Sequence, residues 1–390
     1  MREISCDTLV IGAGPAGSAT AAALAQAGRD VLLVEARRHP RAKTCAEYAS
    51  PRIAEELTRL GIDRAAWGET AVPLDGMHVI RDGTRVPITY SDRTGRRTAW
   101  GLDRVGFDAA LAAHAVASGA RLLDLTRLGG LELADGRVRG AILHGSEGSV
   151  SVRSRWVIGA DGARSRVARA LGVERPVVAP RRLGLIARYE GSPDLTTHGE
   201  MHVAPTHYIG LAPTPGGQLN VGMALPLEGS GSAESRFAAA IATLPAVADR
   251  LRGLRRLTPL RGAAPIGHRV SRTAGPGWML VGDAAGFVDP FTGEGIYRAL
   301  RSARLAAEAL TSGPDPEAAY HDGRRHAFAA KDALTWLVQG MLAAPPLLGY
   351  ALRRLEDRPA QAAVLGAALG DCRRASDALS PAFLASVLRP

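Results

Sequence analysis

The chain has 390 residues, 46% of them hydrophobic and 22% charged, an ordinary globular balance that argues against bulk disorder. That length calls for one large domain or two interleaved ones rather than a single small core. The formal charge of +10 would suit nucleic acid or an anionic surface, but only Lys43 and Lys331 are lysines and the arginines are scattered, as a GC-rich coding sequence would scatter them, so no nucleic-acid partner is expected.

In chain order, "DTLVIGAGPAGSATAAALAQAGRDVLLVEA" reads as strand, glycine turn, helix, strand. Thr8 to Ile11 is a wholly apolar strand, as a buried parallel strand should be. Pro15 to Ala27 is a helix rich in small residues, and Val31 to Val34 is the second strand of a βαβ unit. "SPRIAEELTRLG" predicts a helix capped by Ser50 with Pro51 at its first position. "LDRVGFDAALAAHAVASGA" predicts another, ending at Gly119. "LELADGRVRGAIL" predicts a hairpin turning at Asp135-Gly136, and "SVSVRSRWVIGADG" a strand running into a Gly/Asp turn. Arg181 to Leu225 is strand-rich, Ser232 to Arg252 helical, and Arg255 to Gly267 strand-like. Trp278 to Val281 is a short buried strand, Gly293 to Leu310 a helix, and the remainder mostly helical.

Strands suited to one parallel sheet therefore come from distant stretches, near residues 8, 31, 122, 156 and 279. This implies an α/β fold in which a Rossmann-like nucleotide-binding domain carries an inserted, mainly antiparallel β-sheet domain and a helical C-terminal segment. The expected division gives residues 1–75, 99–175 and 269–312 to the nucleotide domain, 76–98 and 176–268 to the inserted domain, and 313–390 to the helical segment. The three cysteines, Cys6, Cys45 and Cys372, have neither disulfide nor metal spacing, which favours a reducing cytoplasm and no metal. The N-terminus enters a strand at once, so no secretory leader is expected. No apolar run reaches the roughly 20 residues that span a bilayer; the nearest, "LTWLVQGMLAAPPLLGYAL", is broken by Pro345 and Pro346.

Gly12-Ala13-Gly14-Pro15-Ala16-Gly17 follows the first strand and opens a helix. Its glycines allow a tight turn, backbone approach to a pyrophosphate, and close helix–strand contact. A phosphate then rests on free N–H groups at the helix start. Glu35 ends the next strand, where it can accept hydrogen bonds from ribose hydroxyls; Ala36 and Arg37 follow it. NAD would also suit such a site. A second motif, Gly159-Ala160-Asp161-Gly162-Ala163-Arg164-Ser165, follows the strand ending at Ile158. The third is "LVGDAAGFVDPFTGEGI", Leu280 to Ile296, which sets Asp283, Asp289 and Glu294 among apolar residues, where unpaired charge is costly.

These three motifs, in this order, resemble the FAD-dependent oxidoreductases of the aromatic-hydroxylase type, a superfamily that includes flavin monooxygenases, flavin-dependent halogenases and geranylgeranyl reductases. The resemblance covers roughly residues 5 to 312, and "GDAAGFVDPFTGEGI" with "PRAKTCAEYASP" is most similar to the geranylgeranyl-reductase-related branch. It implies an FAD cofactor held by Gly12, Gly14, Pro15, Ala16, Gly17, Glu35, Ala36 and Arg37. Gly282 and Asp283 would meet the ribityl chain, and Arg104 the pyrophosphate or ribose. Pro290, Gly293, Glu294, Gly295 and Ile296 would pass beside the flavin ring, where N–H groups at a helix start stabilise negative charge on the reduced ring. Asp161 and Gly162 resemble residues linked to FAD and to reduced nicotinamide. Cys45 and Ala46 lie on a loop that runs to the ring.

Bland readings stand beside several of these. Glu294 also suits a helix start, Asp289 and Asp161 suit turns, Arg104 suits a surface helix end, and Cys45 suits packing. The candidates for a catalytic part are Cys45, Tyr208, Asp289 and Pro290. Prenyl reductases resemble one another in a YxWxFP segment followed by about eight residues and a glycine. Here Tyr208-Ile209-Gly210-Leu211-Ala212-Pro213 and Gly222 keep the frame but replace both large rings, which leaves room near the flavin. Lys43 resembles a halogenase lysine, but no WxWxIP occurs.

These readings favour an FAD-dependent monooxygenase that hydroxylates or epoxidises a sizeable apolar small molecule, with O2 as co-substrate; the GC-rich bias and the open wall suggest secondary metabolism. The alternatives are an FAD-dependent C=C reductase and a non-redox cyclase using FAD structurally. NAD(P)H docking transiently, or a separate flavin or ferredoxin-type reductase, would supply electrons. The C-terminal segment from Trp336 to Arg354 is amphipathic and suits a domain cover or a homodimer contact better than a membrane surface; a monomer or homodimer is expected.

Overall fold

A computed structural model describes residues 2–146, 148–191 and 197–389; residues 192–196, inside the strand-rich stretch expected from 181 to 225, lie outside them. The first strand, Arg2–Ile11, sits at the centre of a sheet. It pairs in parallel with Val31–Val34 on one side and Gly148–Gly159 on the other, with Leu9 opposite Leu32 and Val157. Arg121–Leu123 and Trp278–Leu280 extend the parallel array. All five expected strands are thus present, in the spatial order 278–280, 148–159, 2–11, 31–34, 121–123.

Both faces of this sheet are covered, so its strands are apolar at successive positions rather than alternately. Val10, Leu33, Ile158 and Met279 face the helices Pro15–Gln26, Gly295–Thr311 and Pro316–Ala343. Leu9, Ile11, Leu32 and Val157 face the antiparallel meander of Arg127–Ala134 and Arg137–Gly145. The meander turns at Asp135 and Gly136, both with positive φ (52° and 70°), as a tight two-residue hairpin requires.

The second large sheet is mainly antiparallel, in the order 261–263, 182–190, 218–226, 208–214, 198–203, 76–81, 84–92, 95–97. Only His198–Val203 and Gly76–Arg81 run parallel, which is how two distant stretches of chain share one sheet. Residues alternate across it. Tyr208 and Ala212 face one side with Met201 and Ala224, while Ile209 and Leu211 face the helices Ala233–Ala242 and Pro245–Leu251.

Three local expectations change. Ser50 does not cap a helix: its hydroxyl donates to the Asp371 carboxylate at 3.1 Å, and the helix starts at Ile53. A buried carboxylate needs donors, and that need outweighs a cap. The stretch 232–252 is two helices because Pro245 starts a new one, in the position where its missing N–H costs nothing. From 255 to 267 only Arg261–Ala263 is a strand; Pro259 and Pro265 on either side cannot donate to a ladder.

The C-terminal helices cover the second sheet. Leu348, Leu352, Leu355 and Ala362 pack on Val86, Ile88 and Tyr90. The amphipathic stretch 336–354 is split at Pro345 into the end of Pro316–Ala343 and the start of Pro345–Glu356. Tyr320 ties this segment to the parallel sheet: its buried hydroxyl donates to the Leu280 carbonyl at 2.5 Å. Among the described residues no helix is long and apolar enough to cross a membrane. Tyr320→Phe leaves that carbonyl without its side-chain donor, and we expect a loss of about 1–3 kcal/mol, read by urea unfolding with an unchanged m-value.

Candidate functional site

Between the two sheets lies a cavity of about 890 Å³ that runs from the glycine turn to the second sheet. Its nucleotide end is built by backbone. Gly12, Gly14, Pro15 and Ala16 line it. Gly12 has φ +106°, and a Cβ there would lie 2.6 Å from the Ala160 carbonyl oxygen. Gly17 is not in the wall; it lies against Gly12, where a Cβ would fall 1.8 Å from the Gly12 oxygen. Gly14 alone of the three is open toward the cavity, with the Arg41 guanidinium 3.7 Å from a would-be Cβ. The turn therefore offers bare N–H groups at a helix start, the arrangement that accepts a pyrophosphate.

Glu35 and its neighbours Ala36 and Arg37 line the same end. The Glu35 carboxylate accepts from the N–H groups of Ala13 (3.0 Å) and Arg37 (3.1 Å) and from Arg41 (2.9 Å). These fix its orientation and leave lone pairs for hydroxyl donors. Arg41 Nε is buried without a protein partner, so a donor remains for an oxygen-rich ligand. Arg104 is in the wall and is not a surface arginine: it is 4% exposed and grips Asp108, one helical turn on, through two bonds of 2.8 and 3.0 Å. Asp108 also faces Arg41 at 3.5 Å, so two acids and two guanidinium groups alternate behind this wall.

Beyond Arg104 the wall is the loop carrying Lys43, Cys45 and Ala46. The loop is held from several sides. Asn220 donates to the Cys45 carbonyl at 3.1 Å, and Glu47, at φ 59°, accepts from the Arg104 N–H (3.2 Å) and from Arg188 (2.9 Å). Burial pushes the Glu47 carboxyl up, against the pull of Arg188 and Arg104. Lys43 comes within 3.9 Å of Asp283. Asp283, Gly282, Asp161 and Gly162 line the opposite side. The Asp161 carboxylate, however, turns into the following helix, taking the Ser165 hydroxyl (2.5 Å) and the N–H groups of Arg166 (2.6 Å) and Val167 (3.2 Å).

The far end meets the second sheet. Pro290, Gly293, Gly295 and Ile296 form one edge, with Tyr208, Gly210, Met77, Met201 and Met223 across from them. Gly210 and Ala212 both line the cavity; a Cβ on Gly210 would meet only Met201, at 3.5 Å, and Gly222 at longer range. Tyr208 packs edge-on against Phe291 at 5.0 Å and donates its hydroxyl to Asp289 at 2.6 Å. Asp289 itself is 3% exposed and lies behind the wall, paired with Arg182, which also reaches Gln339 at 2.9 Å. Burial and the Asp289 charge push the Tyr208 phenol well above its usual range, so it stays protonated. Glu294 too faces away from the cavity, toward Thr335 and Lys331.

The sequence reading passed over Asp108, Arg188, Arg182 and Glu47. Of these only Asp108 carries a local signal, its four-residue spacing from Arg104; the others meet their partners only through the fold.

The cavity has the length, the glycine turn and the donor set for a dinucleotide cofactor, and the comparisons agree. Residues 5–319 match the family model described as "FAD binding domain". The chain is 35% identical to the menaquinone reductase of Mycolicibacterium smegmatis, over 79% of this chain and 76% of that one. It is 33% identical to the digeranylgeranylglycerophospholipid reductase of Methanosarcina mazei, over 78% and 74%. A geranylgeranyl bacteriochlorophyll reductase-like protein from Thermoplasma acidophilum superposes with a TM-score of 0.78 at 25% identity, over 91% and 92%. The flavin-dependent brominase Bmp2 shares the fold, with a TM-score of 0.80 at 21% identity over 96% and 97%. Gly12→Ala, which adds a Cβ where neither backbone nor space admits one, should weaken FAD binding by about fivefold to a hundredfold, from ~1–3 kcal/mol of strain; titration by flavin fluorescence measures it.

Proposed function

Because the chain belongs to the FAD-binding-domain family and is an FAD-dependent oxidoreductase, we propose that it reduces a carbon–carbon double bond in a sizeable apolar small molecule. The observation that carries this is the chamber at the flavin end. Its walls include Met77, Met201, Met223, Ile186, Ile266 and Phe291, a flexible apolar surface suited to a hydrocarbon chain. The reductase names of the relatives support it.

In this reading the turn from Gly12 to Gly17 and Glu35 hold the nucleotide half of FAD, Arg104 and Asp283 its middle, and the backbone from Pro290 to Ile296 the ring. When bound, reduced FAD supplies a hydride. The strands at 76–92 and 182–226 serve as the substrate domain. Tyr208 keeps its proton and donates a hydrogen bond to Asp289, which with Arg182 fixes the ring, so the phenol shapes the chamber and orients substrate by packing. Cys45, beside Arg104, faces the same space and contacts substrate or ring. NAD(P)H docking transiently, or a separate flavin or ferredoxin-type reductase, provides electrons.

A second reading, oxygen insertion by reduced FAD and O2, is favoured by Gly210 and Ala212. They leave the chamber wall open where prenyl reductases resemble one another in carrying two rings, so a broader substrate fits.

Anaerobic mixing of the reduced holoenzyme with prenyl-bearing quinones or lipids separates the two. Reoxidation of the flavin with a product carrying two more hydrogens in its prenyl chain supports reduction of the double bond; two hydrogens gained at the quinone ring alone, or a product formed only in air and carrying an atom of labelled O2, overturns it. With a working substrate, Tyr208→Phe, which removes the hydrogen bond that fixes the ring against Asp289, should lower kcat/KM by up to about tenfold, while FAD affinity stays unchanged.

A further inference from the structure

Glu294 stands between two cavity-lining glycines, yet its side chain points the other way. Gly293 has φ +68° and lies against Tyr48, whose ring would be 3.0 Å from a Cβ there. Gly295 begins the helix Gly295–Thr311. The Glu294 carboxylate is 5% exposed. One oxygen, Oε1, accepts from the hydroxyls of Thr292 and Thr335, each at 3.0 Å. The other, Oε2, has no hydrogen-bond partner and sits 3.5 Å from Lys331 Nζ.

Lys331 is one of only two lysines in a chain rich in arginine, and its surroundings explain the choice. Its ammonium is 6% exposed and donates to the carbonyls of Ala368 (2.7 Å) and Leu369 (2.8 Å). Asp371 faces it at 3.0 Å. A compact group with three donors fits this converging set; a planar guanidinium fork does not. Asp371 is held in turn by the Ser50 hydroxyl at 3.1 Å. The remaining charges nearby are Arg298, which is 4.0 Å from Glu294 and paired with Asp332, and Arg52, which donates to the Asp371 carbonyl.

Two buried carboxylates thus share one ammonium directly behind the loop that edges the flavin end of the cavity. Burial, offset by Lys331 and reinforced by Glu294, pushes the Asp371 carboxyl up to about 6, as expected for two acids competing for one cation. Both Lys331 and Asp371 lie beyond the residues matched by the family model.

We propose that Lys331 is a positioning residue for the flavin: through Glu294 it holds the Gly293–Gly295 backbone in place, and its charge, balanced against Glu294 and Asp371, sets the potential at the ring. Charges buried behind the cavity wall act through an effective dielectric lower than that of water, and reduction places negative charge on the flavin. Losing the ammonium therefore disfavours the reduced cofactor, and losing a carboxylate favours it.

The test is a dye-coupled anaerobic redox titration of the FAD-loaded protein, which needs no substrate and so stands apart from the assignment of reaction. Lys331→Met should lower the midpoint potential and Glu294→Gln should raise it. Each should change the reduced-to-oxidised ratio by about tenfold, ~30 mV for a two-electron couple. The double variant should return toward the parent. A merely structural role would loosen the loop in both cases and move both singles the same way; that result, or a ratio changed less than about twofold in both, overturns the proposal. If Lys331→Met does not fold, Glu294→Gln and Asp371→Asn carry the test, and a potential unchanged or lowered in both overturns it.

Discussion

Charge removed from water must be matched inside the protein, and that constraint organises everything around the cavity. Glu35, Arg41, Asp108 and Arg104 alternate in sign behind the nucleotide end. Glu47, Arg188 and Asp103 anchor the loop beside them. Arg182 and Asp289 lie behind Tyr208, and Lys331 with Glu294 and Asp371 behind the 290–296 loop. Each group joins segments far apart in sequence. Removing one member of a buried pair costs about 3–5 kcal/mol because its partner is left bare, so these pairs fix the relative placement of the two sheets as well as the cavity wall.

This division of labour explains why so few side chains project freely into the space. Backbone from the glycine turn and from the 290–296 loop offers N–H groups, and apolar residues of the second sheet offer shape. Charged residues line the nucleotide end, while Asp108, Glu47, Asp289 and Glu294 work one layer back. Such a site suits chemistry carried by a cofactor, where the protein's part is to hold, orient and exclude water. The fold is shared with a brominase, and the similar sequences carry reductase names, as expected where function lies in the site and not in the fold.

The C-terminal helices are part of this arrangement. They bury part of the cavity-side face of the second sheet with Leu348, Leu352 and Leu355, reach the parallel sheet through Tyr320, and send Thr335, Lys331 and Gln339 to residues beside the cavity. What reads as an amphipathic stretch in sequence is therefore a cover whose inner face is partly polar, because it meets charges the cavity wall turns outward.

The sequence alone determined the parallel sheet, its five strands, the glycine turn with Glu35, and the resemblance to FAD enzymes. Each of these rests on a local pattern: an apolar run, a glycine spacing, a residue at a strand end. It could equally show that Gly210 and Ala212 lack rings. Only the tertiary structure decided which way Asp289 and Glu294 point, because Tyr208 and Arg182 for the one, and Thr335 and Lys331 for the other, come from distant segments; Asp161 turns to donors in the helix that follows it. The same holds for Ser50, drawn from a cap to Asp371, and for the strand-like 255–267, where only Arg261–Ala263 forms a strand and 255–257 meet the strand 182–190 through isolated bonds. Local periodicity carries element type and order; the pairing of buried charge is a property of surfaces that exist only once the chain has closed on itself.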